Sequence, residues 1–291
     1  VAATGGRVHV LGGGLSPWCQ LDSVDIFDPA TGTWASGAPM PSARNNLAST
    51  VIGNRIYVVG GLYTPPERRD EERPMTDPSP WVDVYDTATD SWSQETDMPS
   101  GRVKPAVAAI GDRLYVLGGR DMDAGENTRS IIAKPIGAKS WTEVGEMPVG
   151  FRHSSGCALD GKVYVTGGWT PEQVPGCEKK GKVYPTLVQF DPETGNTCQL
   201  AEMPTPRVGH VSVACDGRIW VFGGITQDRS MVKAVHVYDP KTNSWSEVAE
   251  LASTRAICEG DILDGTVYLP CGWASLSRIP NPDFVAFDTT V

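Results

Sequence analysis

Residues 113–119 read Arg-Leu-Tyr-Val-Leu-Gly-Gly (RLYVLGG), an apolar strand closed by a glycine pair. The stretch decides the architecture because it returns. RVHVLGG occupies 7–13, RIYVVGG 55–61, KVYVTGG 162–168, RIWVFGG 218–224 and TVYLPCG 266–272. The penultimate positions, Gly12, Gly60, Gly118, Gly167, Gly223 and Cys271, stand 48 to 58 residues apart. A period of that size marks the repetition of one small structural unit. A second register lies sixteen residues upstream: Arg44, Arg102, Arg207 and Arg255. Four residues before each stands Met40, Met98, Met203 or Leu251, and six before that Trp34, Trp92 or Trp245. The fourth unit keeps Trp141 and Met147 but has Phe151 in the arginine register and Arg152 one residue late. The fifth has Thr197 in place of the tryptophan.

Within each unit a two-residue turn precedes the glycine-terminated strand: Gly5-Gly6, Gly53-Asn54, Gly111-Asp112, Asp160-Gly161, Asp216-Gly217 and Asp264-Gly265. These residue types tolerate the positive φ that tight hairpins require. A third strand follows (SVDIFDP, WVDVYDT, LVQFDPE, AVHVYDP, FVAFDTT), alternating at period two, and a short turn leads to the tryptophan-bearing fourth. No segment longer than a turn has helical periodicity. Four-stranded sheets of this size cannot bury both faces alone, and radial packing covers them. The expectation is an all-β, six-bladed β-propeller in one domain, with blades over approximately 1–42, 43–100, 101–149, 150–205, 206–253 and 254–291. The last blade is expected to lack its fourth strand and the first to hold half of its first strand, so a longer natural polypeptide is expected upstream of Val1.

Composition agrees. Thirty-two Gly and 23 Pro in 291 residues are punctuation for many short elements, and 40% hydrophobic content supports a core. No apolar run approaches the ~18 residues of a membrane span. Net charge −10 argues against nucleic acid or anionic membrane as partner. Seven cysteines without a C-x-x-C pair fit reduced thiols and a cytoplasmic or cytoskeletal location. Cys258 and Cys271 fall opposite each other across the Asp264-Gly265 turn, and two buried thiols is the preferred reading over a disulfide.

The glycine doublets, the aromatic residue two after the basic one, the Met-Pro-x-x-Arg stretch and the tryptophan six before that Met together resemble Kelch repeats over nearly the whole chain. The units are most similar to those of the Kelch-like BTB adaptors of cullin-RING ubiquitin ligases. The resemblance implies recognition of a protein or peptide partner, with a ligase scaffold reached through a longer parent chain. Actin binding or bundling, and a Kelch-fold enzyme similar to the bacterial sialic acid mutarotases, are the other readings.

Propeller geometry places the arginine register and the loops after the doublets on one face. Arg44, Arg102, Arg207 and Arg255, with Arg152 displaced, form either a ring of guanidinium groups able to grip carboxylate or phosphate, or a set of bonds to backbone carbonyls and acidic neighbours. His153 and His210 follow the register, and Arg120 opens a loop. The loops differ most between blades and carry Trp18, Trp169 and Trp273 outside the repeating tryptophan register, either as anchors for a partner or each capping its own loop. The doublets end strands and open no helix, so they cradle no phosphate. No nucleophile elbow, paired catalytic carboxylates or metal-ligand spacing is present. No catalytic activity, metal or cofactor is expected.

Overall fold

The computed structural model describes every residue except 17–18, 69–75, 122–124, 172–180, 271, 274–282 and 291, together with the side chains of 15–16. Each predicted hairpin forms with its two-residue turn: Thr4 pairs Arg7, Ile52 pairs Arg55, Ile110 pairs Arg113, Leu159 pairs Lys162, Cys215 pairs Arg218 and Leu263 pairs Thr266. Blade 1 is a four-stranded antiparallel sheet of Ala2–Thr4, Arg7–Leu11, Val24–Asp28 and Thr33–Ser36. Blade 2 uses Ala48–Ile52, Arg55–Val59, Val82–Asp86 and Ser91–Gln94. Blade 3 uses Ala106–Ile110, Arg113–Leu117, Ser130–Pro135 and Thr142–Glu146. Blade 4 uses Ser155–Leu159, Lys162–Thr166, Leu187–Asp191 and Asn196–Gln199, and blade 5 uses Val211–Cys215, Arg218–Phe222, Ala234–Asp239 and Ser244–Glu250. Among the described residues blade 6 has three strands, Asp261–Leu263, Thr266–Leu269 and Val285–Asp288.

The apolar core is divided into clusters between neighbouring blades. Leu11 and Val24 meet Ile56 and Val58 across blades 1 and 2, Val84 meets Leu114 across 2 and 3, and Tyr115 meets Phe190 across 3 and 4. Leu187 meets Val221 across blades 4 and 5, Phe222 meets Val267 across 5 and 6, and Tyr268 meets Val1 and Val8 across 6 and 1. Each sheet therefore buries its two faces on its neighbours, the radial arrangement of a β-propeller. The ring closes where the Ala3 amide donates to Asp261 Oδ2 at 2.8 Å.

Indole N–H groups link the rims. Trp92 donates to Ala38 O at 2.8 Å, Trp141 to Thr96 O at 3.0 Å and Trp245 to Ala201 O at 2.8 Å, each carbonyl belonging to the preceding blade. Thr197 keeps that bond by other means, its hydroxyl donating to Glu146 O at 3.0 Å.

Two expectations change. The third strands alternate in sequence but not in burial, because Asp83 and His236, polar positions of blades 2 and 5, are buried at 4% and 2% exposure to meet arginines. The loops after the doublets, expected to be irregular, begin as short ribbons: Leu62–Tyr63 with Asp77–Pro78, Trp169–Pro171 with Gly181–Val183, and Arg102–Val103, Arg120–Asp121 and Glu126–Asn127 in one three-stranded piece.

Candidate functional site

The arginine register is buried. Arg44, Arg207 and Arg255 have no exposed surface and Arg102 has 3%. One guanidinium nitrogen reaches forward sixteen residues to the first glycine of the doublet in the same blade: Arg44 to Gly60 O, Arg102 to Gly118 O and Arg207 to Gly223 O, all at 3.1 Å. The remaining donors meet the third strand. Arg44 pairs with the Asp83 carboxylate, Arg102 donates to Ser130 O at 3.1 Å and Ser130 Oγ at 2.6 Å, Arg207 donates to His236 Nδ1, and Arg255 donates to Leu269 O at 2.6 Å and Asp283 O at 2.8 Å. The expected ring of presented guanidinium groups is thus corrected for these four. Their donors tie the lead-in of each blade to its own second and third strands, and none of the four lies at the surface. Burial draws Arg102 and Arg207 down to about 10, still cationic at neutral pH.

Two residues past this register the chain turns left-handed in every blade that has the segment: Asn46 at φ 53°, Lys104 at 51°, His153 at 55°, Gly209 at 63° and Ile257 at 50°. Each of the later four amides donates to the carbonyl of the preceding one: Lys104 to Asn46 at 3.0 Å, His153 to Lys104 at 3.3 Å, Gly209 to His153 at 3.0 Å and Ile257 to Gly209 at 2.8 Å. This collar surrounds the mouth of a central channel of about 300 Å³. Lys104 Nζ spans the mouth to Glu259 Oε1 at 2.8 Å. His153 and His210 line the wall. Burial, and the charges of Lys104 and Arg152, push His153 down to about 3. Burial, with the charge of Arg207, does the same to His210, whose Nε2 meets Thr166 Oγ1 at 2.8 Å. Both rings are neutral at physiological pH.

Arg152 behaves unlike the other arginines. Phe151 fills the buried register position at 1% exposure, and its carbonyl accepts the Gly119 amide at 2.7 Å, as the Arg44 carbonyl accepts Gly13 at 2.8 Å. Arg152 is therefore released towards the loop face, half-buried, with its guanidinium 4.4 Å from the centre of the Trp169 ring. The backbones of Arg152 and Trp169 bond each other at 3.1 and 2.9 Å. Asn127 Nδ2 donates to Trp169 O at 2.9 Å, and Asn127 stands opposite Arg120 on the blade 3 ribbon. Arg120, Arg152, Trp169 and His153 are thus gathered where blades 3 and 4 meet. Trp273 lies elsewhere, half-buried and paired with Ala256 in blade 6. Trp18 and Cys271, and with Cys271 the pairing with Cys258, lie outside the described residues.

The model described as the KLHDC2/KLHL20/DRC7 Kelch-repeats domain matches residues 73–269, and the Kelch motif matches 1–41 and 43–99. The chain belongs to the Kelch-repeat family. Kelch-like protein 23 of Homo sapiens is 26% identical to it over 269 residues, 92% of this chain and 44% of that protein. Kelch-like protein 41a of Danio rerio is 26% identical over 230 residues, 79% of this chain and 36% of that protein. The chain thus spans less than half the length of these curated relatives. A solved structure titled "Structure of YjhT" superposes with a TM-score of 0.77, covering 98% of this chain and 92% of that one at 17% identity, a likeness of fold.

In this Kelch ring, sequence reasoning missed Asn127, Lys104 and Glu259. Lys104 and Glu259 are 155 residues apart, and only ring closure brings them together. The left-handed turn at Lys104 did have a signal, because Gly209 occupies the equivalent place in blade 5. No helix of the described residues is long and apolar enough to cross a membrane. Among the described residues no group of three or more His, Cys, Asp and Glu side chains is placed to hold a metal.

Proposed function

We propose that this Kelch ring is a recognition module that captures a partner protein or peptide on the face carrying the collar and the post-doublet loops. The observation that carries the reading is the release of Arg152 onto Trp169. Arg and Trp are enriched among the residues that carry binding energy at protein interfaces, and the face of an indole attracts a guanidinium laid over it. The rest of the ring supplies rigidity, and a surface built on a rigid scaffold loses less entropy on binding. Similarity to Kelch-like proteins supports the same reading, and within a longer parent chain it extends to a substrate adaptor for a cullin-RING ubiquitin ligase.

The test starts with the proteins that co-purify with the full natural chain from its source, identified by mass spectrometry. Affinity of the identified partner is then measured for the ring and two variants. Arg152→Glu is expected to weaken binding at least tenfold. Asp112→Asn, in an exposed turn on the opposite face, is expected to leave it unchanged. Cullin components among the co-purified proteins would support the adaptor role and actin filaments the cytoskeletal one. Equal affinity for both variants would overturn the choice of face, and sugar turnover by the isolated ring would replace the reading with an enzymatic one.

A further inference from the structure

The blade 4 ribbon that carries Trp169 is too small to hold its own shape. Its strands, Trp169–Pro171 and Gly181–Val183, have three residues each, and a lone two-stranded ribbon is marginal in water. Its neighbours hold it instead. On one side the Arg152 backbone pairs with Trp169, and Asn127 of blade 3 donates to Trp169 O at 2.9 Å. On the other side stands Gln227 of blade 5. Its Oε1 accepts the Val183 amide at 2.7 Å, and its Nε2 donates to Gly181 O at 2.9 Å. An N–H and a C=O two residues apart are what the open edge of a strand presents to a further strand, and a side-chain amide offers the same donor and acceptor as a peptide group. Gln227 thus takes the place of a strand on the outer edge of the ribbon. It is delivered from a closed turn: the Thr226 amide donates to Ser230 O at 2.9 Å, the Ser230 amide donates to Thr226 Oγ1 at 3.0 Å, and Ile225 bridges both Val208 and Met231.

What this edge controls is Trp169. Trp169 stands opposite Val183, and its indole lies diagonally over Gly181, where a Cβ would fall inside the ring. Gly181 has no left-handed φ, so room for the indole is what a glycine supplies there. The indole in turn carries the Arg152 guanidinium. A displacement of the Gly181–Val183 strand therefore displaces the platform on which Arg152 rests. Gln227 itself is exposed at a loop tip, a kind of position whose substitution changes global stability little.

We propose that Gln227 is a positioning residue of the recognition face: standing in for a strand on the outer edge of the blade 4 ribbon, it holds Trp169, and through it Arg152, in the arrangement offered to a partner. Asn127, Trp169 and Gln227 then join the loops of blades 3, 4 and 5 into one preorganised surface, which loses less entropy on binding than separate loops. The inference rests on the recognition reading above for its use.

The test reads the ring before any partner is added. Gln227→Ala and Gln227→Glu are compared with the unmodified ring by amide exchange at Val183, by the ring-current shift that the Trp169 indole imposes on the Arg152 side-chain protons, and by the urea midpoint. Gln227→Ala is expected to speed exchange at Val183 roughly tenfold and to leave the urea midpoint in place. It is also expected to remove much of the Arg152 shift, as Gly181→Ala should by displacing the indole directly. Gln227→Glu keeps the acceptor for Val183 and loses the donor to Gly181 O, so both of its changes should be smaller. Faster exchange at Val183 with an unchanged Arg152 shift would overturn the proposal and reduce Gln227 to a local brace, and unchanged exchange at Val183 would overturn it as well. Affinity for the co-purified partner then separates this inference from the reading beneath it. Affinity lost in Arg152→Glu but fully kept in Gln227→Ala would overturn the positioning role. Affinity unchanged in both, with the Arg152 shift removed by Gln227→Ala, would overturn the choice of face and leave the hold of Gln227 on Trp169 standing.

Discussion

Arg44 and Arg152 differ by one step of register, and the step separates a structural group from a presented one. Sequence spacing showed the register and the misplacement in the fourth unit. It did not show the fate of the register arginines, because their acceptors lie on other strands: Gly60 O sixteen residues on and Asp83 thirty-nine residues on. Phe151 was the legible sign. An aromatic side chain in a slot that elsewhere holds a buried guanidinium removes the acceptor demand and lets the following arginine turn outward. The buried pair makes a sharp prediction. Asp83→Ala leaves Arg44 buried beside two neutral acceptors, Gly60 O and Ser79 Oγ, and is expected to destabilise the ring by about 3–5 kcal/mol. Arg55→Ala removes the exposed partner of Asp86 and is expected to leave the urea midpoint nearly in place. Equal losses in the two variants would mean that the arginine register contributes no more than a surface ion pair.

At the scale of elements, the hairpins and most strands were readable because turn chemistry and period two agree. Blade 3 was harder: its third strand, Ser130–Pro135, carries Lys134 where blades 2, 4 and 5 place Tyr85, Phe190 and Tyr238, and ends in Pro135 where they have an aspartate. Lys134 is fully buried and pairs with Glu95 of blade 2, a compensation that no local pattern announces. The doublet glycines also gain a reason. Gly12 has φ 59°, and a Cβ there would meet Arg44 O at 2.7 Å and Met40 Cε at 2.9 Å. Gly53, in a hairpin turn, has φ 62° and open space around it. Gly53→Ala is expected to cost about 1–2 kcal/mol, the left-handed penalty alone. Gly12→Ala adds a backbone collision between blades 1 and 2, so its loss in chemical denaturation should be at least twice as large. Matching midpoints for the two would show that the doublet serves only the turn of the chain.

For the whole molecule, closure is the property on which the site depends. The collar amides link blades 2 to 6 in series, and Ala3 with Asp261, together with Tyr268 against Val1 and Val8, joins blade 6 to blade 1. The unit period made the ring legible from sequence. The meeting of Asn127 with Trp169, and of Lys104 with Glu259, was not legible, since it depends on the angle at which neighbouring sheets pack. If the sheets form one ring, they open together, in contrast to a linear array whose ends unravel first. Native-state amide hydrogen exchange measures this directly. The account predicts that Lys104, His153, Gly209 and Ile257 in the collar, Ala3 at the closure and Val267 in blade 6 all exchange through the same global unfolding, with one common free energy. Exchange of Ala3 and Val267 at a much lower free energy than the collar of blades 3 to 5 would contradict it, and would describe an open chain of sheets in place of a ring.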